Sequence, residues 1–198
     1  MFQNSNGGNV TFARFNGKTG KFDVKKDGEK LHFNQLRDVM VTKIDTRDDS
    51  YEGKPRTDLQ VRVTGKDGDA IISFNTASGS TAKLVAMLCA ADLTKPLGLS
   101  GQMLAAGTTP KGFSEPLNND LVSISVFQDG WVKPAVEVPK TVMVKVGNKE
   151  VSDTSAREEF VAKTIAELMG KVGNTHSETA AAAQNAVSVE EEEEKIPF

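Results

Sequence analysis

Cysteine is almost missing from this chain: Cys89 stands alone among 198 residues. A single thiol excludes a disulfide framework and any zinc cluster built on thiolates. It falls in Leu84-Val85-Ala86-Met87-Leu88-Cys89, an apolar run where a thiol acts as a small hydrophobe rather than a nucleophile. Histidine is scarce too, and His32 and His176 lie far apart with no acid or cysteine at ligand spacing. No apolar stretch is long enough to cross a bilayer and no leader pattern opens the chain, so a cytoplasmic protein is expected. Phosphate-binding glycine loops, nucleophile elbows and histidine-glutamate metal motifs are all lacking. Ser, His and Asp occur without a spacing that makes a catalytic group. No catalytic residue, metal or cofactor is assigned, and an enzyme is not expected.

Charge is unevenly spread. Residues 1–148 carry 19 Lys plus Arg against 16 Asp plus Glu, and the last 50 carry 5 against 11. A mildly basic body therefore precedes a strongly acidic end, although the whole chain has a net charge of −3. Five consecutive glutamates, Glu190 to Glu194, repel one another and cannot bury. Lys195 follows, then Ile196-Pro197-Phe198, a compact apolar cluster bearing the final carboxylate. Pro197 restricts the backbone before Phe198, so docking this end into an apolar slot with a basic rim costs less entropy. A plain solubilising tail is the alternative.

Periodicity divides the rest. Val10–Phe15 and Phe22–Lys25 read as short strands around a turn-rich Asn16 to Gly20, and Leu31–Phe33 as a third. Here Arg14, Lys18, Lys21, Lys25 and Lys26 surround Phe12, Phe15 and Phe22, which reads as a small satellite core among solvated lysines. Residues 1–34 are expected to join the main domain, which spans 35–171. Val39–Ile44 is a strand, Asp45–Asp58 a long polar loop, and Leu59–Thr64 an alternating strand with Arg62 outward. Gly65-Lys66-Asp67-Gly68 turns the chain into Ala70–Phe74. A helix capped by Ser78 or Ser80 follows, with Leu84, Val85, Leu88 and Ala91 on one stripe.

Leu97–Leu104 and Leu121–Phe127 are further strands. Leu97, Leu99 and Met103 share one parity, and Val122, Ile124 and Val126 another, while Trp131-Val132-Lys133 extends the second strand. Val142–Val146 and Lys149–Val151 form a hairpin. Ser155-Ala156-Arg157-Glu158 reads as a capping box opening a helix with Val161, Ile165, Leu168 and Met169 on the face docked against the domain. Gly170 and Gly173 should stop it. Residues 172–198 are expected to be a disordered linker and tail, its 20 or so linker residues reaching roughly 25 Å.

Three strands, a helix and two strands is the order of the mainly β, five-stranded OB-fold barrel, here with extra N-terminal strands and a C-terminal helix. Such barrels bind oligonucleotides on the face of strands two and three, framed by the loops after strands one and four. The first loop carries Arg47, Tyr51, Lys54 and Arg56; the second carries Lys111 and Phe113; Arg62 and Lys66 lie on strand two and its turn. Rings that stack on bases, beside cations that meet phosphates, are what a single-strand binder needs. Trp131 beside Lys133 adds a ring and a cation, whereas Phe74 belongs to the core and Phe127 is expected under the closing helix.

The ending Ile196-Pro197-Phe198 after an acidic run resembles the tail of bacterial single-stranded DNA-binding proteins, with Lys195 where that family usually has an acid. Ala91 to Leu97, Ser123 to Gly130 with Val132-Lys133, and Val144 to Val151 before a helix resemble a family of bacteriophage single-stranded DNA-binding proteins with one OB-fold. The likeness spans roughly residues 35 to 170. Relatives carry an aromatic after the third strand, where this chain has Thr76-Ala77-Ser78-Gly79, so other rings must supply that contact. The resemblance implies sequence-independent single-stranded DNA binding in replication, recombination or repair inside an infected bacterium, by a monomer or homodimer. Ile196, Pro197 and Phe198 would recruit replication or repair enzymes, and no membrane partner is implied. Two alternatives stay open: a β-rich virion or interaction protein with an acidic docking tail, and an RNA-binding OB-fold.

Overall fold

The computed structural model describes residues 10–26, 29–51, 53–110 and 114–190, without the side chains of Lys26, Tyr51, Lys54 and residues 174–190. Mainly β, the described residues form ten strands and two helices: β1 (Thr11–Asn16), β2 (Lys21–Lys26), β3 (Glu29–Phe33), β4 (Gln35–Tyr51), β5 (Lys54–Gly65), β6 (Gly68–Asn75), α1 (Gly79–Ala90), β7 (Leu97–Leu104), β8 (Leu121–Phe127), β9 (Val142–Val146), β10 (Lys149–Asp153) and α2 (Ser155–Glu190). Eight strands make one curled sheet in the order β3-β2-β1-β6-β5-β4-β7-β8, and β9 pairs with β10 separately. All pairings in the large sheet are antiparallel except β1 with β6.

Alternation makes one face of this sheet apolar. Leu59, Val61 and Val63 on β5 and Ala70, Ile72 and Phe74 on β6 point inward and are buried. From the N-terminal strands come Phe15 and Phe22, whose ring centroids lie 5.7 and 6.4 Å from that of Phe74. The three rings share one core, so the expected satellite cluster does not exist. On α1, Leu84, Val85, Leu88 and the following Ala91 are all buried. Ser78 caps this helix by accepting from the Thr81 amide at 3.1 Å.

Curling brings the N-terminal end of the sheet back against β7. The chain passes from β3 to β4 through Asn34, whose carbonyl accepts from the Gly101 amide at 2.9 Å. Gly20, at φ +66°, packs so closely on β7 that a Cβ there would lie 2.4 Å from the Gln102 carbonyl carbon. One on Gly101 would lie 2.3 Å from the Gly20 oxygen. Two glycines thus let backbone meet backbone where side chains would hold the sheet open. Among the described residues β8 does not pair with β6, because β1 takes that edge.

Several local expectations are corrected. Residues 45–58 are not a loop but a long two-stranded ribbon, because opposite charges and hydroxyls pair across it. Thr57 donates to Asp48 at 2.9 Å, and Arg56 reaches its register partner Asp49 at 3.2 Å. Met103 has inward parity yet is 45% exposed at the end of β7. The segment after β8 turns back instead of extending it: Asp129 and Gly130 have positive φ, and Trp131 bridges Phe127 antiparallel.

At the start of α2, Ser155 is not the cap. The Thr154 carbonyl accepts from the Arg157 and Glu158 amides, and Asp153 accepts from the Ser155 amide at 2.9 Å. Two acceptors placed earlier in the chain satisfy this helix end. Val161, Ile165 and Leu168 are buried, with α2 lying against α1 and β4. The helix runs through Gly170 and Gly173 to Glu190 over residues expected to be linker, whose alanines favour helix enough to carry it on. No described helix is long and apolar enough to cross a membrane.

Candidate nucleic-acid interface

The outward face of β4, β5 and β6 begins with the strict alternation of β5, which turns Asp58, Gln60 and Arg62 away from the core. Arg47 reaches the same face by a different device. Val41 opposes Val63 and Lys43 opposes Arg62, so Thr42 is an extra residue, a β-bulge that inverts the parity of β4 beyond it. Before the bulge Val39 and Val41 point inward; after it Ile44 does, and Lys43, Asp45 and Arg47 point outward. Arg47 and Arg62 therefore share one exposed face, and neither makes an ion pair among the described residues. Lys66 is exposed in the tight turn between β5 and β6.

Other charges here are committed. Lys43 bonds Asp45 at 2.6 Å; that bond, with the Thr46 amide, holds the Asp45 carboxyl below its ordinary range. Asp58, 4% exposed, gathers three donors on one oxygen: Arg56 at 2.6 Å, Ser73 at 2.8 Å and Arg14 at 3.2 Å. Arg56, one of the contacts expected from sequence, is thus engaged within the sheet. Its side chain is only 15% exposed and spans Asp49 and Asp58, so it ties the ribbon to the sheet.

Trp131 is 68% exposed and meets Phe127 edge-on, with ring centroids 5.8 Å apart. Phe127 is half-buried, its ring lying over Gly98, and Lys133 is exposed beyond it. Phe127 opposes Gly98 at one end of the β7–β8 pair, and Leu121 opposes Leu104 at the other, where the 105–120 connection leaves. Trp131 and that connection therefore occupy opposite ends of the strand pair. The side chains of Tyr51 and Lys54, and Lys111, Phe113, Ile196, Pro197 and Phe198 altogether, lie outside the described residues.

One cluster was missed in the sequence. A cavity of about 510 Å³ opens on the same outward face between the N-terminal strands and β4 to β6, lined by Phe12, Arg14, Lys25, Lys30, Arg47 and Ile71 among others. Parity was the overlooked signal. Phe12 and Phe15 are three apart on one strand and must face opposite ways, so they cannot share a core.

Compared with known proteins, the chain matches no family model, no curated protein and no solved structure.

Proposed function

We propose that this protein binds single-stranded DNA without sequence preference, as an accessory of replication, recombination or repair. The observation that carries the reading is the pair Arg47 and Arg62. Both are exposed on one outward face of β4 and β5 without ion pairs among the described residues, so they are available to phosphates. Supporting it are the succession β4, β5, β6, α1, β7, β8, which we take as an OB-type barrel whose third strand is edged by β1. Trp131 adds an exposed indole for stacking and Lys66 another cation. In this reading the face of β5 and β6 holds the strand, and Ile196-Pro197-Phe198 addresses the enzymes that work on it.

The acidic run gives the reading a regulatory consequence: Glu190 to Glu194 compete with DNA for the basic face. Deleting residues 190–198 then raises DNA affinity at low salt, and an unchanged affinity would remove the competition. The main test is titration of the full chain with single-stranded DNA, duplex DNA and matched RNA at several salt concentrations, read by Trp131 fluorescence. Tight binding to single-stranded DNA alone, weakening linearly in log salt, is the expected result. Equal affinity for duplex would overturn the proposal, and preference for RNA would redirect it to a reader of 2′-hydroxyls.

A further inference from the structure

Phe12, the second residue of β1, is 62% exposed on a strand where Ala13 and Phe15 are buried. Its register partner on the adjacent parallel strand is Ile71, so ring and aliphatic chain make a continuous apolar floor. That floor lies in the cavity of about 510 Å³, within the roughly 300–1,000 Å³ typical of clefts that take small organic groups. The charges around it are unequal in availability. Asp23 is paired with Lys30 at 3.2 Å and His32 at 2.7 Å, Asp58 with Arg14 and Arg56, and Asp49 with Arg56. Lys25 and Arg47 carry no ion pair among the described residues, and both border the cavity. The carboxylates are thus compensated from within, while two cations remain for a ligand.

A planar apolar floor with uncommitted cations at its edge fits a base attached to phosphate. Continuity selects a polymer over a free nucleotide. Gln60 and Ile71 line this cavity and also the shallow depression beside Arg62, so the floor runs on into the face bearing Arg62. We propose that the N-terminal strands are a subsite for single-stranded nucleic acid, in which Phe12 stacks on a base and Lys25 and Arg47 take the flanking phosphates. The inference rests on the single-strand reading above and deepens it: the bound strand runs across β5, β6 and β1, beyond the two strands of the barrel face.

The test uses the full chain with Phe12→Ala and Phe12→Tyr, titrated with oligo(dT) long enough to span the face. Phe12 is exposed, so both variants keep the wild-type thermal midpoint and Trp131 emission. Phe12→Ala is expected to weaken binding roughly tenfold, the loss of one stacked base, and Phe12→Tyr to restore most of it. Lys25→Ala is expected to lower the salt slope by about one. Ultraviolet cross-linking of 5-bromodeoxyuridine oligomers should place an adduct on Phe12. If the wild type binds single strands and Phe12→Ala binds as tightly with no adduct at that position, the subsite alone falls. If the wild type binds no single strand, the functional reading falls and the subsite with it.

Discussion

Asp58 sets three donors on one carboxylate oxygen while almost wholly buried. Removing it leaves the guanidinium groups of Arg14 and Arg56 facing each other in a partly dry site. Breaking a fully buried pair costs about 3–5 kcal/mol, but Arg14 is 47% exposed and water screens its share. Asp58→Ala is therefore expected to cost about 2–3 kcal/mol, read as a lower urea midpoint at unchanged slope. A cost near zero would mean that the ribbon and β1 are held by their backbone pairing alone. Gly98 makes a second residue-scale case. A Cβ there would lie 2.0 Å from the Phe127 ring, and that ring supports Trp131. Gly98→Ala should lift the ring, cost about 1–3 kcal/mol as overpacking does, and shift the emission of the sole tryptophan. Unchanged emission would show that Phe127 does not position it.

At the scale of elements, the β2–β3 hairpin is cross-linked by Asp23. Burial alone would raise its carboxyl; hydrogen bonds from Asn16, His32 and Lys30 outweigh that and bring it below its ordinary value of 3.8. A depressed folded pKa contributes stability that is present above the unfolded value and lost as pH falls through the folded one. The advantage of wild type over Asp23→Ala should thus hold at neutral pH and shrink below about pH 4. A constant gap down to pH 2, followed by thermal melting, would contradict this role. Other elements show why the chain was only partly legible. The hydrophobic strands were visible because alternation over six residues has no other meaning in a sheet. The 45–58 ribbon was not, since Asp48, Asp49, Ser50 and Thr57 carry no apolar period, and their partners lie across the hairpin. Nor was the bulge at Thr42, which depends on the register of β4 against β5.

For the whole molecule, the N-terminal strands belong to the sheet rather than decorate it. β1 covers the edge of β6, Phe15 and Phe22 pack on Phe74, and Gly20 meets β7. A chain starting at residue 35 would expose a long strand edge and part of the aromatic core. Such a truncation is expected to lose cooperative thermal unfolding and to aggregate, whereas the full chain unfolds in one transition. A soluble, cooperatively folded truncation would show that β4 to β8 close on themselves once β1 is gone.

By itself the sequence determined the strands with an apolar alternation, the first helix with a serine cap at 78 or 80, the apolar residues they bury and the acidic end, because all of these follow from local periodicity and composition. Tertiary structure decided which strands are neighbours, which face Arg47 shows, that Arg56 is spent on Asp58, and that Phe12 alone of three nearby phenylalanines stands in solvent. Those outcomes depend on register, on one inserted residue and on a sheet curling back on itself. Even Asp58, two residues from Arg56, is held in place by Arg14 and Ser73 from distant strands, and no local pattern encodes such contacts.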